Sequence, residues 1–318
     1  MSKSKILYIH VTGVSSEILK NLVLAGIRAV LCDNRPYPQA ILETPCFLLS
    51  ATDPTELPSK DEEEPSPPKK ARLDSNKTVA EAVKPAVEEL NPLLGDCEVV
   101  KESISELSKE FLAQFSIVIA SRIGISDAIR LSEAVTENGG KFFMADCFGM
   151  DGACVLDLGA KHTYRPELGK KLLDITPLKT HVPLKTLFDV PLSDAVARLH
   201  KKPIPVWMRY RAMLEYKERS GDCCPDGASM QQFAEVVRAW VKESAPTLVD
   251  DAVFDVKALE KLASVTNSEV APVCSVLGGM IGNEVIKAVS GKGEPANNTL
   301  LFDGSSCKAW TFLVKPKE

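Results

Sequence analysis

The chain has 318 residues, of which 45% are hydrophobic and 25% charged, so its length and composition predict a globular protein with a substantial core. Its net charge of −5 gives it no overall basic field, which argues against nucleic-acid binding. No apolar run reaches about 18 residues without charges, and the N-terminus lacks a signal-peptide pattern, so neither a membrane span nor a secretory leader is predicted.

The first fifty residues alternate between strand and helix patterns. Residues 5–11 form an apolar strand run, residues 14–24 an amphipathic helix, and residues 28–32 a second strand that ends at Asp33. Residues 51–77 differ in composition. They are rich in proline and carry an acidic block and a basic block, so they offer few apolar side chains for a core. This segment is predicted to be a disordered linker.

Regular patterns resume after the linker. Strand runs are separated by helical patterns of ten to fifteen residues, which predicts a doubly wound, mostly parallel α/β sheet of the Rossmann-like class. The strand runs are 97–100, 115–120, 141–146 and 152–158, and the helical runs are 78–90 (kinked or restarted at Pro85), 106–114 and 124–138.

Residues 160–265 differ from the preceding segment because they contain few strand runs. Helical patterns lie among proline-rich turns, at 193–200, 206–217, 230–243 and 256–263. The segment is predicted to be a helical insertion that leaves the sheet and returns before Ala271. The predicted organisation is therefore one Rossmann-like domain, residues 1–159 and 266–318, with the linker 51–77 and the insertion 160–265.

The turn after the first strand is where a dinucleotide fold would bind phosphate. Only Gly13 stands where the fingerprint has three glycines, while His10 and Ser15 place side chains on the phosphate path. Asp33 lies twenty positions after Gly13, where a ribose-binding carboxylate belongs, although strand ends carry Asp for other reasons too. We interpret the turn as a nucleotide site that has lost its nucleotide.

A second informative segment is the apolar helical run near the C-terminus. It contains Gly278, Gly279 and Gly282, each of which costs roughly 1 kcal/mol relative to Ala inside a helix. Close approach of another backbone would compensate for that loss. The approaching backbone is either a partner's or the chain's own.

Several motifs share a family resemblance. GVSSEILKNLVLAG (13–26) resembles the turn and helix GxGAExxKNLxLAG, KFFMADCFG (141–149) resembles KFFxxDxFG, and the closing run contains APVCSVLGG and NNTLLFDG. On these motifs the chain resembles the ubiquitin-like-protein activating enzymes, which have a ThiF/MoeB-like fold. The resemblance covers most of residues 5–159 and 266–305.

The resemblance also implies a role. In that family two homologous halves pair, and only one adenylates the modifier's C-terminus. The competent half carries an Asn-x-x-Arg-Gln element after the ribose Asp and a later Ala-Leu-Asp-Asn turn, and this chain reads NRPYPQAIL and SRIGISDAIR there. The resemblance thus implies a non-catalytic subunit of a heterodimer that binds no cofactor itself.

The same resemblance implies the partners. The larger subunit would use ATP and Mg²⁺ and carry the acceptor cysteine, SUMO is the favoured modifier, and Gly278, Gly279 and Gly282 would belong to the partner face. The family's N-terminal Tyr-Asp-Arg-Gln-Ile-Arg helix is not found before the first strand, which leaves a divergent subunit or an incomplete copy. A free-standing NAD-binding or adenylating enzyme and a pure interaction scaffold are the alternatives.

The cysteines and histidines predict no metal site. The nine cysteines include no Cys-x-x-Cys pair, and the four histidines are far apart in sequence, which favours reduced thiols in a cytosolic or nuclear protein. Cys223 and Cys224 lie in a polar loop and are interpreted as incidental thiols, and no catalytic residue is predicted.

A basic block lies inside the linker. Lys69, Lys70 and Arg72 resemble a short nuclear-import signal that an import receptor would recognise. The expected location is the nucleus with a cytoplasmic pool. The alternative is a solvated charge run that keeps the linker soluble.

Overall fold

The computed structural model describes residues 4–37, 46–49, 77–169, 171–221 and 229–317. Its strands are β1 Lys5–Ile9, β2 Arg28–Cys32, β3 Glu98–Val100, β4 Ile117–Ala120, β5 Lys141–Phe148, β6 Asp151–Asp157, β7 Thr163–Tyr164, β8 Glu167–Leu168, β9 Lys171–Leu172, β10 Thr176–Pro177, β11 Thr299–Asp303 and β12 Lys308–Phe312. Its α-helices are α1 Gly13–Leu24, α2 Val79–Leu90, α3 Lys109–Leu112, α4 Ile125–Thr136, α5 Leu184–Asp189, α6 Pro205–Ser220, α7 Met230–Ser244, α8 Val256–Ala263 and α9 Ala271–Ser290.

Eight strands form the central sheet, in the order β12–β11–β6–β5–β4–β1–β2–β3. Strands β1 to β5 are parallel to one another, and β6, β11 and β12 extend the sheet in antiparallel pairs. The prediction of a mostly parallel Rossmann-like sheet is confirmed. Strand order reverses between β1 and β4, and in such sheets ligands bind at the carboxyl ends of the strands beside that point.

Both faces of the sheet are covered, which is why its parallel strands are apolar without interruption. Ile6 and Tyr8 point to the face covered by α1, α2 and α9, and Leu7 and Ile9 point to the face covered by α4 and the insertion. All four side chains are at most 1% exposed. The chain is therefore doubly wound, as the alternation of strands and helices predicts.

The insertion packs on the sheet instead of leaving it. Trp207 and Tyr210 of α6 pack against Phe312 of β12 and Phe148 of β5, with ring centroids 6.2 and 5.8 Å apart. The insertion therefore shares the core of one sheet face. Sequence periodicity identified its helices α6, α7 and α8, but it could not show which surface would cover them.

Some predicted helices were wrong. Residues 193–200 form no α-helix, because only a short 3₁₀ turn at Leu192–Asp194 follows Pro191 and the segment then buries Ala195 and Ala197 in irregular backbone. The helix predicted at 106–114 is only the single turn α3, whereas α2 runs through Pro85 without a break. The predicted linker lies outside the described residues except for Lys77.

Helix α9 runs the full depth of the sheet beside α1. Its length and composition would also suit a membrane span, but Leu277, Ile281 and Val285 are buried in the core that α1 shares. It begins near the carboxyl edge of the parallel strands and ends near their amino edge. This helix consequently connects the two edges of the sheet.

Candidate functional site

The crevice beside the switch point lies between the ends of β1 and β4. His10 and Arg122 follow these strands with φ angles of 60° and 55°, in the left-handed region that non-glycine residues rarely adopt. His10 Nδ1 lies 3.0 Å from the carbonyl oxygen of Ser121, so the two strand ends are joined by a hydrogen bond. Burial lowers the pKa of His10 to about 4, so its ring is neutral at physiological pH.

The turn that enters α1 is closed by its own hydroxyl groups. Thr12 caps the helix and accepts a hydrogen bond from the N–H of Ser15, while the Ser15 hydroxyl accepts from the N–H of Thr12 at 2.7 Å. The Ser15 hydroxyl also lies 3.0 Å from the carbonyl oxygen of His10, to which it donates. Ser15 was predicted to obstruct a phosphate, but its buried side chain instead forms a capping box within the turn.

Glu269 occupies the N-terminus of α1. Its Oε2 accepts the N–H of Gly13 at 2.7 Å, and its Oε1 accepts the N–H of Val14 at 3.3 Å. These first N–H groups of a helix have no partner within the helix and attract anions, which is why nucleotide phosphates bind there in related folds. In this chain a carboxylate of its own takes that position.

The guanidinium of Arg122 also balances the charge of Glu269. A nitrogen of the Arg122 guanidinium lies 3.7 Å from Glu269 Oε2, and the Glu269 side chain is 1% exposed. Burial raises the pKa of Glu269 above its usual value, and Arg122 with the two N–H donors opposes that rise. The pair is thus held in place by contacts on both partners.

The lack of a side chain at Gly13 makes room for Glu269. A Cβ atom at Gly13 would lie 3.0 Å from Glu269 Oε2 and 3.0 Å from Cys274 Sγ, closer than ordinary contacts allow. The glycine that the sequence assigned to a degenerate nucleotide turn therefore lets a side chain of the same protein approach the helix. Glu269 itself was missed by sequence reasoning, since it is separated from Gly13 by 256 positions.

Asp33 is also engaged within the chain. Its Oδ2 accepts the N–H of Val11 at 2.7 Å and a nitrogen of Arg35 at 2.7 Å, and its Oδ1 accepts Arg35 Nε at 2.9 Å. Arg35 in turn donates to the carbonyl oxygen of Val11 at 3.1 Å. The carboxylate predicted for ribose thus binds a guanidinium two residues away, in the two-point geometry that suits this pair.

The insertion reaches the same crevice through α6. Asp146 accepts the Tyr210 hydroxyl at 2.8 Å and the N–H of Arg122 at 2.6 Å, and Lys217 Nζ donates to the carbonyl oxygen of Arg122 at 2.5 Å. Burial raises the pKa of Asp146, while Arg122, Lys217 and the hydrogen bonds lower it. Two insertion side chains therefore fix the segment that holds Arg122.

Two buried thiols adjoin Glu269. The Sγ atoms of Cys147 and Cys274 and an oxygen of Glu269 lie within 4.8 Å of one another. Burial raises the pKa of Cys147 well above its usual value, so the thiol stays protonated, and the carboxylate already accepts two N–H groups. The two cysteines are core residues.

The three glycines of α9 do not share one environment. A Cβ at Gly278 would lie 2.5 Å from Glu17 Cβ and 3.3 Å from the Ile18 nitrogen, both on α1, and one at Gly282 would lie 3.4 Å from Asn21 Cβ. The close backbone approach at Gly278 is thus made within the chain. A Cβ at Gly279 would meet nothing within 4 Å, so this residue faces outward.

The remaining predicted residues lie outside the described part of the chain. These are the basic block Lys69, Lys70 and Arg72, and the pair Cys223 and Cys224. The assignment of the three α9 glycines to a partner face stays a prediction. The internal packing of Gly278 and Gly282 accounts for those two without a partner.

Comparison with known proteins adds the family context. The model of the ThiF family matches residues 70–318. Among similar proteins, SUMO-activating enzyme subunit 1B-1 of Arabidopsis thaliana is 29% identical over 97% of this chain and 88% of its own length. SUMO-activating enzyme subunit 1 of Xenopus laevis is 26% identical over 95% and 87%, and DNA damage tolerance protein rad31 of Schizosaccharomyces pombe is 27% identical over 96% and 88%.

Proposed function

Because the chain belongs to the ThiF family, we propose that it is the non-adenylating subunit of a heterodimeric enzyme that activates SUMO. The larger partner would bind ATP and Mg²⁺, adenylate the modifier's C-terminus and accept it on a cysteine. Two of the relatives named above are subunits of SUMO-activating enzymes, and each match covers nearly all of this chain. That coverage supports the same role here.

The observation that carries the proposal is the carboxylate of Glu269 on the N–H groups of Gly13 and Val14. A nucleotide phosphate would have to displace it and bring further negative charge beside it. Adenylation also needs cations and a metal around the phosphates. The described cations at this crevice, Arg35, Arg122 and Lys217, already contact groups of the chain itself.

The experiment is a reconstitution of the isolated chain with the larger subunit, SUMO and Mg·ATP. Modifier-dependent pyrophosphate exchange should need both chains, and the larger subunit should co-purify with this one. Calorimetry of this chain alone should detect no ATP binding. Low-micromolar ATP binding that is lost in Asp33→Ala would contradict the proposal, and failure to pair with the larger subunit would favour the scaffold alternative.

We also propose the outward face of α9 as part of the partner contact. Gly279 has open space above it, and Val276 on the same face is 45% exposed. Gly279→Leu should leave the fold of the isolated chain intact, because the new side chain points away from α1, and it should weaken pairing. Unchanged pairing affinity in this variant would place the contact elsewhere.

For localisation we propose the nucleus with a cytoplasmic pool, by way of Lys69, Lys70 and Arg72 and an import receptor. Replacing the three residues by Ala should reduce nuclear accumulation of a fluorescent fusion without changing its melting temperature. Equal nuclear signal for the variant and the parent chain would leave the block with a solvating role.

A further inference from the structure

A recess of about 740 Å³ lies at the edge of the sheet opposite the crevice. It is formed by the first residue of β5, the segment after β6, and the C-terminal ends of α4 and α9. Because β6 is antiparallel to β5, the end of one strand and the start of the other meet at this edge. The volume is in the range of small-molecule sites.

His162 belongs to the wall of this recess, and one of its ring nitrogens has no partner among the described residues. The residue is 8% exposed, and its backbone is fixed by hydrogen bonds from its N–H to Gly159 and from the N–H of Leu178 to its carbonyl oxygen. Its Nε2 is buried and has no hydrogen-bond partner among the described residues. Since buried polar atoms are nearly always hydrogen-bonded, a partner from outside the described residues is expected for this one, and a bound ligand would supply it.

The charge around His162 is positive. Lys141 and Lys161 line the recess, and among the described residues the Lys141 ammonium has a single, long hydrogen bond of 3.4 Å, to the carbonyl oxygen of Gly139. Among the described lining residues Glu137 is the one acid, and its carboxylate lies 3.3 Å from Lys109. Burial and the charge of Lys141 lower the pKa of His162 to about 4.

The walls of the recess also offer acceptors. The last turns of α4 and α9 contribute residues 136–139 and 288–291 to the lining. The final carbonyl groups of a helix have no partner within the helix and accept hydrogen bonds from outside it. Those of Thr136, Gly139 and Gly291 already accept one from this chain, and those of 288–290 accept none from the described residues. Hydroxyl groups of a ligand can donate to them.

We propose that this recess binds a small oxyanion that also carries hydroxyl groups, such as a sugar phosphate or a hydroxycarboxylic acid. Its oxyanion contacts Lys141 and His162, and its hydroxyl groups face the ends of α4 and α9. The site is separate from the crevice and does not depend on the function proposed above.

The test is an NMR titration of the histidine ring nitrogens in the full chain. Ribose 5-phosphate, citrate and inorganic phosphate are added in turn. The ring signals of His162 should shift with the first or the second compound and respond more weakly to inorganic phosphate, which lacks hydroxyl-bearing carbon. A preference for ribose 5-phosphate identifies a phosphoryl ligand, and a preference for citrate identifies a carboxylate ligand.

His10 serves as the internal control, because it lies in the crevice at the other edge. A shift of His10 without His162, or no shift of His162 at millimolar ligand, would overturn the proposal. Both readings use the unmodified protein, so neither depends on whether a variant folds.

A variant provides the second measurement. Lys141→Met should weaken binding at least about tenfold, the expected loss for one charge-assisted hydrogen bond. Lys257→Met removes the same charge from an exposed position of α8, outside the recess, and should change nothing. Equal affinity in the two variants would overturn the site.

Discussion

The two edges of the central sheet satisfy their polar groups in opposite ways. At the carboxyl edge, Glu269 neutralises the start of α1 and Arg35 neutralises Asp33, so the chain provides its own substitutes for phosphate and for ribose. At the amino edge, Lys141 and His162 face a recess in which the described residues supply no equivalent partner. The contrast indicates that side chains of the protein itself can occupy the ligand-binding positions at one edge of a sheet, while a recess at the opposite edge remains accessible to a ligand.

The largest expected effect comes from removing the internal anion. Glu269→Ala leaves the N–H groups of Gly13 and Val14 unpaired and Arg122 without its carboxylate. We expect a loss of roughly 3 kcal/mol in the free energy of unfolding, the low end for breaking a buried pair, since burial already disfavours this charge. Urea unfolding of the isolated chain measures it.

Two controls accompany that measurement. Glu133→Ala, at an exposed position of α4, should change stability by less than about 0.5 kcal/mol. Sulfate should restore stability to Glu269→Ala beyond its general effect on the parent chain, because it can bind the vacated helix terminus. Equal stability of the two variants would mean that the carboxyl edge is not closed by Glu269.

A smaller effect is expected at the helix that connects the edges. In Gly278→Ala the new Cβ lies 2.5 Å from Glu17 Cβ, so α1 and α9 must move apart. Such overpacking costs about 1–3 kcal/mol, more than the helix propensity of Ala returns. Thermal unfolding of the isolated chain should therefore shift downward, and an unchanged or higher melting temperature would contradict the close packing.

The neighbouring glycine should respond with the opposite sign. Gly279→Ala meets no atom within 4 Å, so the higher helix propensity of Ala should stabilise the chain by roughly 0.5–1 kcal/mol. The same unfolding assay tests both variants. Destabilisation at Gly279 comparable to that at Gly278 would show that α9 is rotated from the orientation described.

The last prediction needs no substitution. It compares two histidines, one at each edge of the sheet, by changing the pH. Burial lowers the pKa of His10 and of His162 to about 4, so the folded chain binds fewer protons than the unfolded chain between pH 4 and about 6.5. These groups stabilise the fold above their unfolded pKa, and that stability is lost as pH falls toward 4.

NMR titration measures each histidine separately. Both rings should stay neutral when the pH falls from 7 to 5, and an oxyanion ligand should raise the pKa of His162 while leaving that of His10 unchanged. Titration of either ring near 6.5 in the free chain would contradict its burial.

Much of the fold could be predicted because apolar strand runs and helical periodicity are local signals. Strand β2 and helix α8 coincide with their predicted bounds. The helix predicted at 193–200 is absent, although the apolar residues there have helical spacing. The segment follows Pro191 and buries two alanines, Ala195 and Ala197, without helical hydrogen bonds. Where the insertion packs depends on tertiary contacts, which periodicity does not contain.

The site was predictable only in part, for the same reason. Gly13 and Asp33 were found because their spacing follows from one strand and one helix. Arg35, two residues from Asp33, could have been recognised as its neutralising partner. Glu269 gives no local signal, since nothing in its sequence neighbourhood points to a helix 256 positions earlier.

That separation also governs when the protein can fold. Helix α1 is synthesised well before Glu269 and the apolar side of α9 that cover it, since 256 positions separate Gly13 from Glu269. Contacts between distant segments form slowly, because a long loop must close before they contribute. During synthesis the face of α1 that packs on α9 therefore stays uncovered until α9 emerges, an interval in which exposed apolar surface favours aggregation.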